Sequence, residues 1–378
     1  MNIAFYAPLK APDHASPSGD RTVARMLLSA LRRAGHRVDL ASRLRSLDRH
    51  GDAVNQARIR TRAARVTARL LARYQSMDSA HRPQLWFTYH LYHKAPDLIG
   101  PEVSRALKIP YVVAEASHAP KQSAGPWDAG YRAAAQAMKS AALIITLNPA
   151  DEPCVRDLLA NAATLRRVAP FIDTRASIRA LRDVDASTAL RSRLGMSTNS
   201  PIIVCAAMMR SGDKLASYQL LAQALARITH LPWQLLILGD GRVRDQVADA
   251  MRAVGERVYW AGLVSQEFLP QWLAGCDLYT WPAVNEAWSM ALLEAAAVGV
   301  PAVAGNEGGV SSVIDDGRSG ILTAARDVRA FAGAVESLLG DERRRRGMGE
   351  AARAKTAAGH DLAAASRALN QLLCELVR

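Results

Sequence analysis

Short apolar runs alternate with segments of helical spacing along nearly the whole chain. In the first half, residues 3–7, 38–41, 85–89, 111–114 and 143–147 are apolar runs of strand length, and residues 21–33 repeat apolar side chains at helical intervals. The pattern breaks over 174–200, a polar stretch rich in Arg and Ser that ends in Ser-Thr-Asn-Ser-Pro, and restarts at 202–206. Further runs follow at 234–238, 258–261, 278–281 and 302–304, and helical sequence with breaks at Gly340 and Gly359 fills 328–378. Such alternation predicts an α/β protein whose parallel sheets are joined by crossover helices. Its restart predicts two units: 1–175, a linker over 176–200, a second unit over 201–357, and a terminal helix over 358–378 that packs back on the first.

Composition agrees with two cores. At 378 residues the chain exceeds the size at which a single core usually stops growing. Apolar residues at 49% and charged residues at 22% are ordinary for a folded protein and argue against extensive disorder. No apolar run approaches the roughly 18 residues that a spanning helix needs, and the opening MNIAFYAPLKAP has no charged segment ahead of its apolar run. A cytoplasmic location is expected. Cys154, Cys205, Cys276 and Cys374 are scattered, without a CxxC pair, and read as reduced core thiols rather than zinc ligands.

Charge adds one feature. The net charge is +13, and residues 25–82 hold fourteen arginines against four aspartates with no Lys or Glu. The segment 54–74, which opens at Val54, carries two parallel helical stripes. Ile59, Ala63, Val66, Leu70 and Tyr74 form one, and Arg58, Arg62, Arg65, Arg69 and Arg73 form the other. Adjoining apolar and cationic faces suit a helix in the headgroup layer of an anionic membrane, which would place the chain peripherally on its inner face. The same stripes also suit a helix packed on the first sheet with its arginines solvated. Nucleic acid is not the expected partner.

Ligands of open α/β sheets bind beyond the carboxyl ends of the strands, so candidate chemistry is sought there. Gly239 and Gly241 frame a Gly-Asp-Gly turn after 234–238, a pattern that also makes ordinary strand-to-helix turns. After 202–206, Arg210 and Lys214 can hold a diphosphate, the first as a planar fork and the second as a mobile point charge. After 278–281 come Glu286 and Glu294. On one helix they would lie about 12 Å apart along the axis, too far to share a proton. With Ser289 capping a helix, Glu286 falls on the preceding loop and Glu294 on the second turn, where each can accept hydrogen bonds from the diols of one elongated ligand. Amides of Trp288, Ser289 and Met290 would face the group between them. Gly308 and Gly309, and then Gly317 and Gly320, bracket a short helix and indicate close backbone packing or simply two turns.

Taken in order, these motifs resemble glycosyltransferase family four, retaining enzymes of the GT-B fold. The resemblance is sharpest over 202–323: Arg210 and Lys214, Leu-Gly-Asp-Gly, Val-Tyr-Trp-Ala-Gly-Leu-Val, Cys-Asp-Leu-Tyr, Asn-Glu-Ala-Trp-Ser, Leu-Glu-Ala-Ala-Ala-Val-Gly-Val-Pro, and Gly-Gly before Asp-Gly-Arg-Ser-Gly. It implies two Rossmann-like domains facing a central cleft and a nucleoside-diphosphate-sugar donor. It gives Glu286 the transferred sugar, Glu294 the ribose, Arg210 and Lys214 the diphosphate, and Leu263 and Val264 the base-contacting loop. His118 falls where relatives place a cleft histidine near the anomeric centre, and Gly19 and Asp20 stand for the acceptor or phosphate loop. Leu215 stands where the group usually has glycine, Ala287 and Ser289 replace glycines after the first glutamate, and Ser312 replaces a glutamate.

The expected reaction moves a sugar to an acceptor hydroxyl with retention, in lipid or cell-surface glycan synthesis. No Asp-X-Asp motif follows any of the predicted strands, so departure of the nucleoside diphosphate would be stabilised by Arg210, Lys214 and helix amides without metal or other cofactor. A GT-B epimerase or hydrolase would need no acceptor. A non-enzymatic basic protein would show only salt-dependent polyanion binding.

Overall fold

The computed structural model describes residues 1–16, 18–160, 164–181 and 186–377. Pro17, in the expected acceptor loop, and residues 182–185, in the expected linker, lie outside them. The chain divides into two compact units, residues 1–169 with 362–378, and residues 170–361.

Unit 1 runs β1 (Asn2–Tyr6), α1 (Gly19–Arg33), β2 (Arg37–Ser42), α2 (Ala53–Ser76), β3 (Leu85–Leu91), α3 (Gly100–Leu107), β4 (Tyr111–Ala116), α4 (Asp128–Ser140), β5 (Leu143–Thr146), α5 (Glu152–Arg156) and β6 (Leu165–Arg167). All six strands are parallel, in the order β2-β1-β3-β4-β5-β6. Strand interiors such as Ile3, Phe5, Phe87, Val112 and Ile144 are buried on both faces, which is why these strands read as apolar runs rather than alternations. Below the carboxyl ends lies a polar knot. Asp97 is buried, accepting from Thr88 Oγ1 at 2.5 Å, Tyr111 Oη at 3.0 Å and the Ile99 and Gly100 amides at 2.8 Å. Burial pushes its carboxyl upward against those bonds.

Unit 2 opens with α6 (Arg175–Ala180) and α7 (Ala186–Leu194), then β7 (Ile202–Ala206), α8 (Asp213–Ala226), β8 (Gln234–Leu238), α9 (Arg244–Met251), β9 (Val258–Gly262), α10 (Leu269–Ala274), β10 (Leu278–Trp281), α11 (Met290–Ala297), β11 (Ala302–Gly305), β12 (Gly320–Thr323), α12 (Val328–Leu339) and α13 (Glu342–Gly359). Its six parallel strands take the order β12-β11-β10-β7-β8-β9. The final helix, α14 (Leu362–Leu376), returns to unit 1 and packs on α1.

Where the sequence suggests a linker over 176–200, the described residues form α6 and α7, which pack on α10 within unit 2, with Leu190 and Met196 buried. Two short edge strands, β6 and β12, are absent from the sequence reading: β6 is Leu165 followed by two exposed arginines, and β12 is two half-buried apolar residues between Gly320 and Thr323, so neither presents an apolar run. The expected helix breaks at Gly340 and Gly359 coincide with the ends of α12 and α13. All four cysteines are free, but only Cys205 and Cys276 are core thiols: Cys154 on the short α5 is exposed and Cys374 is half-buried.

Helix α2 resolves the two stripes. Ile59, Ala63, Leu70 and Tyr74 are buried, the last three in the core with Trp86, Val103 and Tyr111, so this apolar stripe is not available to a bilayer. Arg58, Arg60, Arg62, Arg65, Arg69 and Arg73 are exposed, with no acidic partner among the described residues. The helix therefore takes its stability from the core and leaves its charge in water. Accordingly, Leu70→Ala should destabilise unit 1 by about 3 kcal/mol, the cost of a buried Leu-to-Ala cavity, whereas Arg65→Gln should change stability by less than about 0.5 kcal/mol. Chemical denaturation of the two variants checks this; equal effects would mean that α2 does not pack as described.

Candidate active site

In unit 2 the chain lays β8 and β9 on one side of β7 and β10, β11 and β12 on the other, so the strand order reverses between β7 and β10. Loops leaving such a pair diverge and open a crevice at their carboxyl ends. Arg210 and Lys214 follow β7, and Glu286 follows β10.

Side chains at the start of α8 clasp the loop after β10. Lys214 Nζ forms an ion pair with Glu286 Oε2. Asn285 Nδ2 donates to Asp213 Oδ2 at 3.0 Å, and the Val284 amide donates to Ser217 Oγ at 3.0 Å. Trp281, at the end of β10 and 1% exposed, donates its indole N–H to Glu286 Oε2 at 3.1 Å. Its ring lies 5.3 Å from Lys214 Nζ and 5.1 Å, edge to face, from Tyr218. Arg210 is exposed on the same loop as the expected diphosphate ligand, with no ion-pair partner among the described residues.

Backbone closeness sets the outline. A Cβ at Gly239 would collide with the Ala207 carbonyl and one at Gly241 with the Met209 carbonyl, so the loop after β8 lies directly on the loop after β7. Gly305 and Gly308 press likewise on the Pro282 and Glu286 carbonyls, and the Gly309 amide donates to the Glu286 carbonyl at 3.2 Å. Between them the loop holds Ala283, Asn285 and Ser289 at φ 57°, 49° and 59°. Three left-handed non-glycine residues in seven positions store strain of the kind found at functional sites. Ser289 takes a conformation suited to the glycine that the resemblance expects.

Helix α11 begins at Met290 as expected, yet Ser289 makes no side-chain cap, so its first-turn amides are not capped by it. Trp288 is buried and Met290 half-buried. Glu294, on the second turn, is 7% exposed and accepts from Gln266 Nε2. Burial drives its carboxyl up to about 7, a shift that the Gln266 bond only partly opposes. Gln266 also ties α11 to the loop that carries exposed Leu263 and half-buried Val264. No sequence signal could have paired it with a residue 28 positions away.

The remaining expected residues belong to unit 1. Gly19 and Asp20 form the first turn of α1, capped by Ser18, rather than a loop. Asp20 Oδ1 lies 3.1 Å from His90 Nδ1. Burial would raise the Asp20 carboxyl, but His90 holds it below its usual value. Burial would likewise lower the His90 imidazole, but Asp20, Glu115 and Asp151 hold it above its ordinary value. His90 and Glu115 both adopt left-handed φ, 62° and 60°, and Glu115 accepts from the Leu147 and Asn148 amides. This cluster escapes sequence reading because it assembles from α1, β3 and β4. His118 follows β4 and stacks on Tyr131 at 5.2 Å; burial, helped by Lys139, keeps its pKa low.

Residues 200–341 match the family described as "Glycosyl transferases group 1". Solved structures align over whole chains: HepE from Anabaena, in complex with UDP, with TM-score 0.74 and 17% identity, covering 100% of both chains. Sucrose-phosphate synthase from Thermosynechococcus elongatus aligns with TM-score 0.70 and 19% identity, covering 100% of this chain and 99% of the other. The fold is GT-B. Within this GT-B chain, sequence similarity reaches 34% over 193 residues with a D-inositol 3-phosphate glycosyltransferase of Xylanimonas cellulosilytica, covering 49% of this chain and 45% of that protein. An N-acetyl-alpha-D-glucosaminyl L-malate synthase of Bacillus anthracis is 32% identical over 192 residues, covering 50% of this chain and 48% of that protein. The chain spans about half the length of these curated relatives.

The raised Glu294 carboxyl makes stability pH-dependent. Because the folded chain holds this proton to about pH 7, against an ordinary 4.5, the stabilisation is complete below about 4.5 and is lost as pH rises through about 7. The expected loss is on the order of 3 kcal/mol. Denaturant unfolding of unit 2 at pH 5 and pH 8 should show this slope in the wild type and its absence in Glu294→Gln.

Proposed function

We propose that the protein is a glycosyltransferase that moves a sugar from a nucleoside-diphosphate sugar to an acceptor hydroxyl with retention. The observation that carries this reading is the pair of opposed charges at the β7/β10 switch point. Cations on one loop, a carboxylate on the next and a buried second carboxyl on α11 match the diphosphate, sugar and ribose of one ligand. The group 1 match over the same residues and a GT-B neighbour solved with UDP support it.

In this reading the donor's diphosphate lies against Arg210 and the first-turn amides of α11, drawing Lys214 from Glu286. Glu286 then accepts from the sugar hydroxyls and Glu294 from the ribose diol. As the glycosidic bond stretches, negative charge grows on the leaving diphosphate, where Arg210, Lys214 and the amides stabilise it without metal. The acceptor proton passes to the departing phosphate on the face that it vacates, which retains configuration. By the resemblance, His118 is assigned to the anomeric centre, and Gly19 and Asp20 to the acceptor or phosphate. Ribose hydroxyls donate to an ionised Glu294, so donor affinity should strengthen as pH rises through about 7.

The test is a screen of nucleotide sugars for diphosphate release that requires an acceptor. Arg210→Ala and Glu294→Ala should raise donor KM, while Glu286→Gln should chiefly lower kcat, because sugar contacts tighten in the transition state. NMR of the product should show the donor's anomeric configuration, and EDTA should leave the rate unchanged. Release without acceptor would favour an epimerase or hydrolase, and unaltered turnover in Glu286→Gln would remove the sugar contact.

The acceptor is proposed to be lipid-linked, reached from the cytoplasmic face of an anionic membrane through the six exposed arginines of α2. Among the described residues no helix is long and apolar enough to cross a membrane. With the apolar stripe in the core, such docking would be electrostatic, with each arginine worth on the order of 1 kcal/mol near the surface. Wild type should co-sediment with anionic vesicles at low salt and be released at high salt. A variant with Arg58, Arg62, Arg65, Arg69 and Arg73 changed to Gln should not bind; equal binding by the variant would remove the docking role.

A further inference from the structure

In the proposed donor reading the Lys214 ammonium, which pairs with Glu286, turns toward the diphosphate and loosens its hold on the carboxylate. A carboxylate abandoned by its cation in a half-buried site would swing toward water unless something else held it. Trp281 supplies that hold. Its indole N–H donates to Glu286 Oε2, the same oxygen that meets Lys214. The ring is fixed in turn, since Trp281 is among the largest fully buried side chains and packs edge to face on Tyr218. Tyr218 donates its hydroxyl to the Ala207 carbonyl at 2.7 Å, which anchors the assembly to the loop after β7. The 5.3 Å separation of Lys214 Nζ from the indole is within range of a cation–π contact. The ring therefore gives Lys214 a resting place beside the site.

We infer that Trp281 is the positioning residue of this site, holding Glu286 in place through its indole N–H while its ring retains Lys214 as that lysine turns toward an anionic ligand. The role rests on the proposed donor reading. It requires tryptophan at this position: phenylalanine keeps a ring for Lys214 but has no N–H for Glu286, and an aliphatic residue supplies neither.

Two measurements test it. The first follows the indole 15N–1H resonance of Trp281, assigned by its disappearance in Trp281→Phe. In Glu286→Gln, which leaves the tryptophan in place, this resonance should move upfield because an amide oxygen is a weaker acceptor than a carboxylate. The second is kinetic. Trp281→Phe should lower kcat on the order of tenfold, as expected for a lost hydrogen bond to a charged group, with donor KM within about twofold. Trp281→Leu should also raise donor KM. Combined with Glu286→Gln, Trp281→Phe should add much less than it does alone, since both act on the one contact between the indole and residue 286. An indole resonance indifferent to Glu286→Gln, or losses that simply multiply, would overturn the proposal. A resonance that moves in a protein that turns over no nucleotide sugar would instead sink the donor reading and leave the Trp281–Glu286 contact standing.

Discussion

The reversal of strand order between β7 and β10 is the constraint on which the candidate site depends. Two parallel neighbours whose crossover connections leave in opposite directions cannot cover their own carboxyl ends. The crevice left there is walled by backbone, because glycines at 239, 241, 305 and 308 let adjoining loops touch carbonyl to Cα. A clasp between α8 and the loop after β10 spans it, made of the Lys214–Glu286 ion pair and the Asn285–Asp213 and Val284–Ser217 hydrogen bonds.

Electrostatics follow from that frame. Glu286 keeps a cation beside it, whereas Glu294 has only Gln266 and a buried position, so two glutamates eight positions apart stand in opposite environments. Desolvation dominates at Glu294 and pushes its carboxyl up to about 7, so hydrogen-bond donors arriving from a ligand would favour its ionised form. Unit 1 has a different strand order but its own reversal, between β1 and β3, with a pair formed by Asp20 on the helix that follows β1 and His90 near the end of β3.

Helix α2 illustrates how packing divides one amphipathic pattern. Its apolar stripe is spent on the core of unit 1 and its arginines stay in water, because the sheet beneath offers apolar area while no acidic neighbour comes within ion-pair distance among the described residues. Burial of Ile59, Ala63, Leu70 and Tyr74 leaves charge as the basis for any surface contact.

By itself the sequence determined the two α/β units, most strands to within a residue or two, the helix breaks at Gly340 and Gly359, and the order along the chain of the post-strand segments bearing Arg210, Lys214, Glu286 and Glu294. These are local matters: period, turn chemistry and the rule that chemistry follows strands. Tertiary structure alone decided that Lys214 pairs with Glu286, that the Trp281 indole donates to Glu286, that Gln266 meets Glu294, that Asp20 meets His90, and that the apolar stripe of α2 is core. It also decided that residues 186–194 pack as a helix rather than run free. The reason is physical: most of these contacts join residues far apart in the chain, and the energies of all of them depend on burial and on distances that no residue spacing records.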